Sequence, residues 1–471
     1  MRSGLLGTLR GGVGPEASLE GSPAVQTFSI IGGGIAGLLA GYHFKKAGHR
    51  VTVLEAGSRA GGLIDTTETE WGLVEHAAHS YVNAPALDEL ARDLGLGLEF
   101  LNHEHRARYI YRGGQLRRFP LSLLEALEVG ARIFTLRQRP GLTVSEWGDR
   151  YLGRSGKRFL LEPMVAGIYC GDPTSMSFSA AFPTLEVSQG HRLPFYFMGA
   201  RRAPQNGQLP KERRGVFAIQ GGSAALVRAL ERYLGDDLKL GRRVDGLSAI
   251  YQSATNVVLA TPAVEAARLL GTLQTTPPYS RLATQATASA PVGQTSQRAS
   301  LFQEIAAIEY VPLVTVTVFV ERLKLSRFQE GIGVLIPRGE FQDNAIRGVL
   351  FNSSAFGGRV KDNKLISLTV MLGGAQYPEC MALDDAAIQS RVIVALRELL
   401  GLQGELSAIY ITRWPRALPH YTPTLEALWP RLHQALAEHY PGLLLFGNYT
   451  GQVSVRGMAA SCRSSKGELH T

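Results

Sequence analysis

Cysteine is scarce in this chain. Its 471 residues include three, Cys170, Cys380 and Cys462, far apart and without metal-ligand spacing. That excludes a disulfide scaffold and a cysteine-built metal site, and a reducing cytoplasm is the simple reading. No stretch offers the ~18 consecutive apolar residues of a membrane span. Residence on a membrane surface is compatible with that absence. Residues 1–26 lack the continuous apolar core of a secretory signal and read as a flexible leader. Arg-Arg pairs fall at 117–118, 201–202, 213–214 and 242–243, without interleaved aromatics. Such scattered charge is a solvated basic surface, and no nucleic-acid partner is expected. Internal repeats are absent, and no Ser-His-Asp or Cys-His set suggests a protein nucleophile.

What is present is a large, apolar, mildly basic chain. The length suggests about two or three domains. Apolar residues make up 45%, and 49 Lys and Arg stand against 40 Asp and Glu, a net +9. That balance favours anionic partners, such as an acidic membrane surface or a carboxylated small molecule.

The clearest unit spans 27–55. "TFSII" is a short strand, "GGGIAG" a glycine turn, "LLAGYHFKKAGH" a helix ending at Gly48, and "RVTVLE" a second buried strand. This is the strand–turn–helix–strand order of a βαβ unit. From 84 to 160 the pattern is helical in "ALDELARDLGL", "LSLLEALEVGARIFTLRQ" and 143–161, the last capped by Thr143 or Ser145. Two strand-like pieces, "RYIYRGG" and "QLRRFP", interrupt it. Alternation returns at 215–262, where "LKLGRRVDGLSAI" and "NVVLATP" read as strands. Residues 274–300 read as a loop. "YVPLVTVTVFV", "GIGVLIP", "GVLFNSS" and "LISLTVMLGG" are strands at hairpin-like spacing. "DDAAIQSRVIVALRELLG" is a helix capped by Asp384 or Asp385, and "GLLLFGNYTG" is a buried strand entering a glycine turn.

Chemistry enters with Gly32-x-Gly34-x-x-Gly37. The first glycine permits the turn, the second lets backbone approach a pyrophosphate, and the third lets helix and strand pack closely. Ile35 and Ala36 lie within the motif. Glu55 ends the next strand, where a carboxylate takes both ribose hydroxyls of an adenosine and repels a 2′-phosphate. The alternative is a glycine-rich turn without a ligand. After Glu55 and Ala56, "EAGSRAGGLIDT" places Arg59 to pair with phosphate oxygens and Gly61-Gly62 to admit a second part of the cofactor.

This Glu-x-x-x-Arg-x-Gly-Gly extension is similar to that of the flavin-containing amine oxidase superfamily. "FAIQGGSAALVRAL", "GRRVDGL" and "GNYTGQVSVRGMAASC" resemble its later FAD-domain segments. Within it the chain resembles the protoporphyrinogen oxidase family from about residue 28 onward. The carriers are "GIYCGDPTSMSFSAAFPTL", "GIGVLIPRGE", "GVLFNSSAFGGR", "LTVMLGGAQYPE", "WPRALPHYTP" and "LLLFGNYTGQVSV".

The resemblance implies FAD as cofactor and no metal. Cofactor contacts would come from the motif residues above, the backbone at Ala77 and Ala78, Val244, Gly447, Asn448, Val453, Ser454 and Val455. Phe351 would stack on a tetrapyrrole, the Gly167–Gly171 loop would run beside it, and Leu335 would line the pocket. The implied reaction is oxidation of protoporphyrinogen IX to protoporphyrin IX by hydride transfer to flavin N5, with molecular oxygen as acceptor and no protein acid or base nominated. The implied fold is α+β and α/β. A Rossmann-like discontinuous FAD-binding domain (27–83, 215–265 and 440–471) joins a helical, membrane-facing insertion (84–214) and a β-rich substrate domain (266–439). The implied location is the cytoplasm, on the inner face of the membrane. A homodimer is left open.

Three departures from the pattern stand out. His76 is unusual in "GLVEHAAHS". Gly97 occupies the place of an arginine that anchors a propionate in plant-type members. The closing motif carries Gln452 and lacks an Asp. Alternatives are therefore coproporphyrinogen oxidation, another oxidase of the superfamily acting on amines or polyenes, and a non-catalytic FAD-binding protein. Cys170 reads as a packed small side chain rather than a redox thiol. His420 reads as part of a turn-forming segment at least as well as a substrate contact.

Overall fold

The computed structural model describes residues 25–137, 139–182, 209–254, 256–273 and 300–462. The expected leader (apart from 25–26) and the 274–299 loop lie outside the described residues, as does 183–208.

β1 (Thr27–Ile31), α1 (Ile35–Lys46) and β2 (Arg50–Leu54) form the expected βαβ unit, with β1 and β2 parallel in register Thr27↔Arg50 to Ile31↔Leu54. The parallel sheet has five strands in the order Leu238–Lys239, β2, β1, Asn256–Leu259, Leu443–Leu445. Segments from three distant parts of the chain thus build one layer. α1 and the helix Ala224–Leu234 cover one face, with Phe44, Leu38, Leu230 and Leu234 fully buried.

A second sheet has seven strands: Ala408–Pro419, Tyr310–Glu321, Leu365–Gly373, Ile346–Leu350, Gly333–Leu335, Arg108–Arg112 and Gln115–Arg117. Its two faces follow from alternation in "VTVTVFV" and "LISLTVML". Val314, Val316, Val318, Leu368, Val370 and Leu372 bury against the helix Asp385–Leu400 through Ile388, Val392 and Leu396. Thr315, Thr317, Thr369 and Met371 occupy the other face, toward the parallel sheet. The helix is capped by Asp384, whose carboxylate accepts from Ala387 N–H at 2.8 Å.

Several expectations need correction. Residues 108–117, placed with the helical insertion, are an edge hairpin of the seven-stranded sheet, because Arg108–Arg112 pairs in parallel with Gly333–Leu335. "LKLGRRVDGLSAI" is a strand only at Leu238–Lys239. Beyond it Gly241 and Arg242 donate their N–H groups to Gly57 and Glu55 carbonyls, which turns the chain, and Ser248–Ser253 is helical. The 143–161 pattern holds one regular helix, Val144–Tyr151, with Thr143 in a capping box. It breaks at Leu152, restarts as a short helical turn, Gly153–Gly156, with Gly153 at φ +66°, and continues as a π-helical turn, Lys157–Leu161, then Glu162–Ile168. The strand Ala408–Pro419 was missed. Trp414-Pro415 spoils its β signal, yet it is an edge strand, where proline is tolerated.

Candidate cofactor and substrate site

The site lies where the two sheets face each other. A cavity of 870 Å³ runs from Gly32 and Gly34 past His76–Ser80 to the seven-stranded sheet and Gly167. That is toward the upper end of the ~300–1,000 Å³ of small-molecule sites.

At its nucleotide end the three glycines differ in role. Gly32 has φ +105°, and a Cβ there would press on the Ala260 carbonyl oxygen at 2.6 Å. Gly37 faces inward, where a Cβ would collide with the Gly32 carbonyl oxygen, so it serves packing and does not line the cavity. Gly34 does line it, with Gly62 Cα on the far side of a bare cradle 3.9 Å from where its Cβ would be. The Gly61-Gly62 turn is tied on by Gly61 N–H to Gly33 O, 2.8 Å. Glu55 accepts from Gly33 N–H (2.6 Å) and Gly57 N–H (2.7 Å), which fixes its carboxylate beside the turn.

Ile35, Ala36, Ala56, Ala77, Ala78, Val244, Gly447, Asn448, Val453 and Val455 also line the cavity. Besides Gly37, two expected contacts do not. Arg59 turns back on its own loop, donating to Gly62 O (2.8 Å) and Ala60 O (3.1 Å), so its cation stabilises the glycine turn instead of facing a phosphate. Ser454 caps the helix Val455–Ser461 by accepting from Gly457 N–H at 3.1 Å.

The loop 76–79 is pinned between the halves. The His76 ring bridges Thr67 Oγ1 and Thr412 Oγ1, each at 2.8 Å, and Trp414 Nε1 donates to His76 O at 2.7 Å. The unusual histidine is therefore a tie from this loop to the seven-stranded sheet. Behind it Glu75 receives Arg359 (2.9 Å), Thr66 (2.6 Å) and Ser223 N–H (3.0 Å).

At the substrate end Gly167, Ile168, Cys170, Leu313, Thr315, Leu350, Met371, Ala417 and Leu418 form the wall. Pro312 faces an enlarged partner, because Leu313 pairs with Trp414 and Val311 with Leu418. This bulge at 415–417 turns Arg416 and its neighbours to the cavity. Cys170, at φ +51°, is the only non-glycine with positive φ among the described residues. Its carbonyl accepts from Ala375 N–H at 2.8 Å, and Asp172 N–H donates to His420 Nε2 at 3.3 Å. Burial pushes the Cys170 thiol up to about 12, so no thiolate is available there. His420 lies outside the main cavity and holds the loop from behind.

Three substrate expectations change. Phe351 is 0% exposed and packs on Phe328 with ring centroids 5.1 Å apart, so it has no free face for a macrocycle, and its neighbour Leu350 lines the wall instead. Leu335 covers Gly167, where a Cβ would strike its side chain, and supports the loop from outside the cavity. Gly171 packs on Met176, whose Sδ would lie 2.9 Å from an added Cβ. Gly97 sits against Gln220, away from the cavity wall, so an arginine there would have to displace that side chain. Arg242, Arg243, Arg416 and Trp414 line the cavity but were not selected from the sequence. The Arg242-Arg243 pair was visible as charge, and only the fold gave it a place.

Four buried polar atoms in the wall have no hydrogen-bond partner: His79 Nε2, Thr261 Oγ1, Thr315 Oγ1 and Tyr449 Oη. Burial lowers His79 to about 4, so its ring is neutral and can donate or accept. Three of these groups, His79, Thr261 and Tyr449, sit on loops of the half that carries the bare glycine cradle and fit a dinucleotide cofactor that supplies their partners.

Comparison with known proteins agrees. Residues 35–465 match the family model described as flavin containing amine oxidoreductase. The chain is 26% identical to the mitochondrial protoporphyrinogen oxidase of Nicotiana tabacum, covering 96% of each. It is 24% identical to the coproporphyrinogen III oxidase of Bacillus subtilis (strain 168), covering 89% of this chain and 92% of that one. A crystal structure from Exiguobacterium sp. 255-15 shares the fold with a TM-score of 0.70 at 22% identity, covering 94% of this chain and 98% of that one. The chain belongs to the flavin containing amine oxidoreductase family and is an FAD-dependent oxidoreductase.

Proposed function

We propose that this enzyme oxidises protoporphyrinogen IX to protoporphyrin IX with molecular oxygen. The observation that carries the reading is the continuity of one cavity from the glycine cradle to the wall of Leu313, Leu350, Met371 and Leu418. A large, mostly apolar macrocycle needs such a slot next to the cofactor cradle. Bound FAD supplies the two-electron acceptor for hydrogen removed from a macrocycle carbon, and oxygen renews it.

The chain's own residues bind and orient. Gly32, Gly34, Gly61 and Gly62 admit the pyrophosphate, and Glu55 holds the ribose. His76 and Trp414 fix the 76–79 loop, which would help hold the cofactor in the cavity. Gly167 and Ile168 border the slot, and Arg416 offers a cation to a propionate. Arg416 makes no ion pair among the described residues.

Coproporphyrinogen is the second reading, favoured by the Bacillus subtilis relative's name. It carries two further propionates in place of vinyls. Anaerobic bleaching of the flavin by the two porphyrinogens, side by side, separates them. Faster bleaching by coproporphyrinogen would reverse the assignment, and bleaching by neither would remove it.

The same reading places segment 119–134 on a membrane. Phe119 (61% exposed), Leu123 (77%), Leu124 (79%), Leu127 (61%) and Phe134 (63%) project from or just before the helix Leu123–Thr135. Arg117 and Arg118 are exposed beside them. Apolar side chains flanked by arginine suit an anionic lipid surface. No helix among the described residues is long and apolar enough to cross a membrane.

A further inference from the structure

Of the four orphaned polar atoms in the cavity wall, three sit on loops of the cofactor half: His79, Thr261 and Tyr449. The fourth, Thr315, stands in mid-strand on the seven-stranded sheet, 4% exposed. Its cross-strand neighbours on that face are Thr412 and Met371. The other threonine hydroxyls nearby are engaged. Thr412 meets His76 at 2.8 Å, Thr317 meets Thr369 at 3.0 Å, and Asn352 donates to Thr369 at 2.9 Å. Thr315 alone of this group is left open, and its remaining neighbours on that face, Leu313 and Met371, are apolar and line the wall.

An unpaired hydroxyl at a buried strand position is a poor choice for packing alone. Valine has the same shape and occupies the positions on either side, Val314 and Val316. The hydroxyl therefore belongs to whatever lies against this wall. A porphyrinogen is apolar over most of its surface but carries inner pyrrole N–H donors. Moved into an apolar slot, those donors need an acceptor. A neutral hydroxyl meets that need without introducing a buried charge.

We propose that Thr315 Oγ1 accepts a hydrogen bond from a pyrrole N–H of the bound macrocycle and so fixes its orientation in the slot. This makes Thr315 a specificity-determining residue, and the inference rests on the porphyrinogen reading above.

The test uses the FAD-loaded enzyme with Thr315→Val, Thr315→Ser and Thr315→Ala. Flavin content and absorption spectrum are recorded first. Anaerobic flavin reduction is then followed against protoporphyrinogen concentration, which separates apparent Kd from the limiting rate. The expected result is an unchanged spectrum in all three. Apparent Kd rises about tenfold for Thr315→Val and Thr315→Ala, and stays within about twofold of wild type for Thr315→Ser. An unaltered Kd in Thr315→Val overturns the proposal. So does a flavin spectrum that shifts without substrate, since that assigns the hydroxyl to the cofactor. Wild-type enzyme that no porphyrinogen reduces is a different failure, because it removes the underlying reading before any variant is compared.

Discussion

Arg359 donates to Glu75 across 2.9 Å, and both side chains are almost fully buried, 5% and 4% exposed. Arg359 follows the seven-stranded sheet's Ile346–Leu350 strand, while Glu75 precedes the loop that lies along the cavity. One ion pair thus joins the substrate half to the cofactor half. Arg359 also reaches Ile219 O at 3.1 Å.

Removing one partner leaves the other charge buried. Glu75→Ala is expected to cost about 3–5 kcal/mol in denaturant unfolding. A double variant, Glu75→Leu with Arg359→Met, should recover much of that loss, because paired removal leaves no orphan charge. A double variant no better than the single would show that Glu75 acts mainly through Thr66 and Ser223.

Stability should also fall in acid. His79 and His43 are both lowered from 6.5 to about 4, chiefly by burial. Above pH 6.5 both are neutral in either state. Between 6.5 and about 4 the unfolded chain takes up protons that the folded protein refuses, so stability is lost as pH falls. His79→Gln should flatten part of that slope in unfolding midpoints measured from pH 7.5 to 4. His43 would retain the rest.

Cofactor binding and substrate turnover should separate by position. Gly37→Ala forces helix and turn apart and is expected to yield protein with little bound FAD. Gly167→Val strikes Leu335 behind the substrate wall, and Gly171→Val strikes Met176 at the far end of the same loop. These two should keep FAD, read by absorbance, while losing porphyrinogen turnover by at least about tenfold.

Cys170 offers a control. Cys170→Ala should be nearly silent in turnover. A large loss of activity in Cys170→Ala would restore a chemical role to the thiol.

Binding to lipid vesicles should depend on the exposed helix face. Leu123→Asp with Leu127→Asp is expected to abolish sedimentation with vesicles containing anionic lipid. Turnover of detergent-dispersed substrate should persist. Equal sedimentation of variant and wild type would detach this face from the membrane.

The cofactor end was largely legible because its signals are local. Gly32 to Gly62 form one short βαβ unit plus a turn, and spacing alone fixes their neighbourhood. Arg59 was misplaced because loop carbonyls only three residues away compete for its guanidinium. The substrate end was read less well. Phe351 has the right residue type and directly follows the strand Ile346–Leu350, but whether its ring faces the slot or the core depends on packing against Phe328. Arg416 and Trp414 depend on a bulge in an edge strand that proline disguised. Thr315 was visible only as one letter in an alternating run. Its meaning required knowing which hydroxyls nearby were already engaged.

The parallel sheet that carries Gly32 and Glu55 ends in Leu443–Leu445, paired with Asn256–Leu259. The substrate sheet likewise borrows Arg108–Arg112 to pair with Gly333–Leu335. During synthesis neither layer can close until late-made segments arrive to meet early ones. Such long-range pairings make for slow assembly. A ribosome-bound chain stopped before residue 440 would hold an open strand edge on Asn256–Leu259, where an assisting chaperone has most to shield.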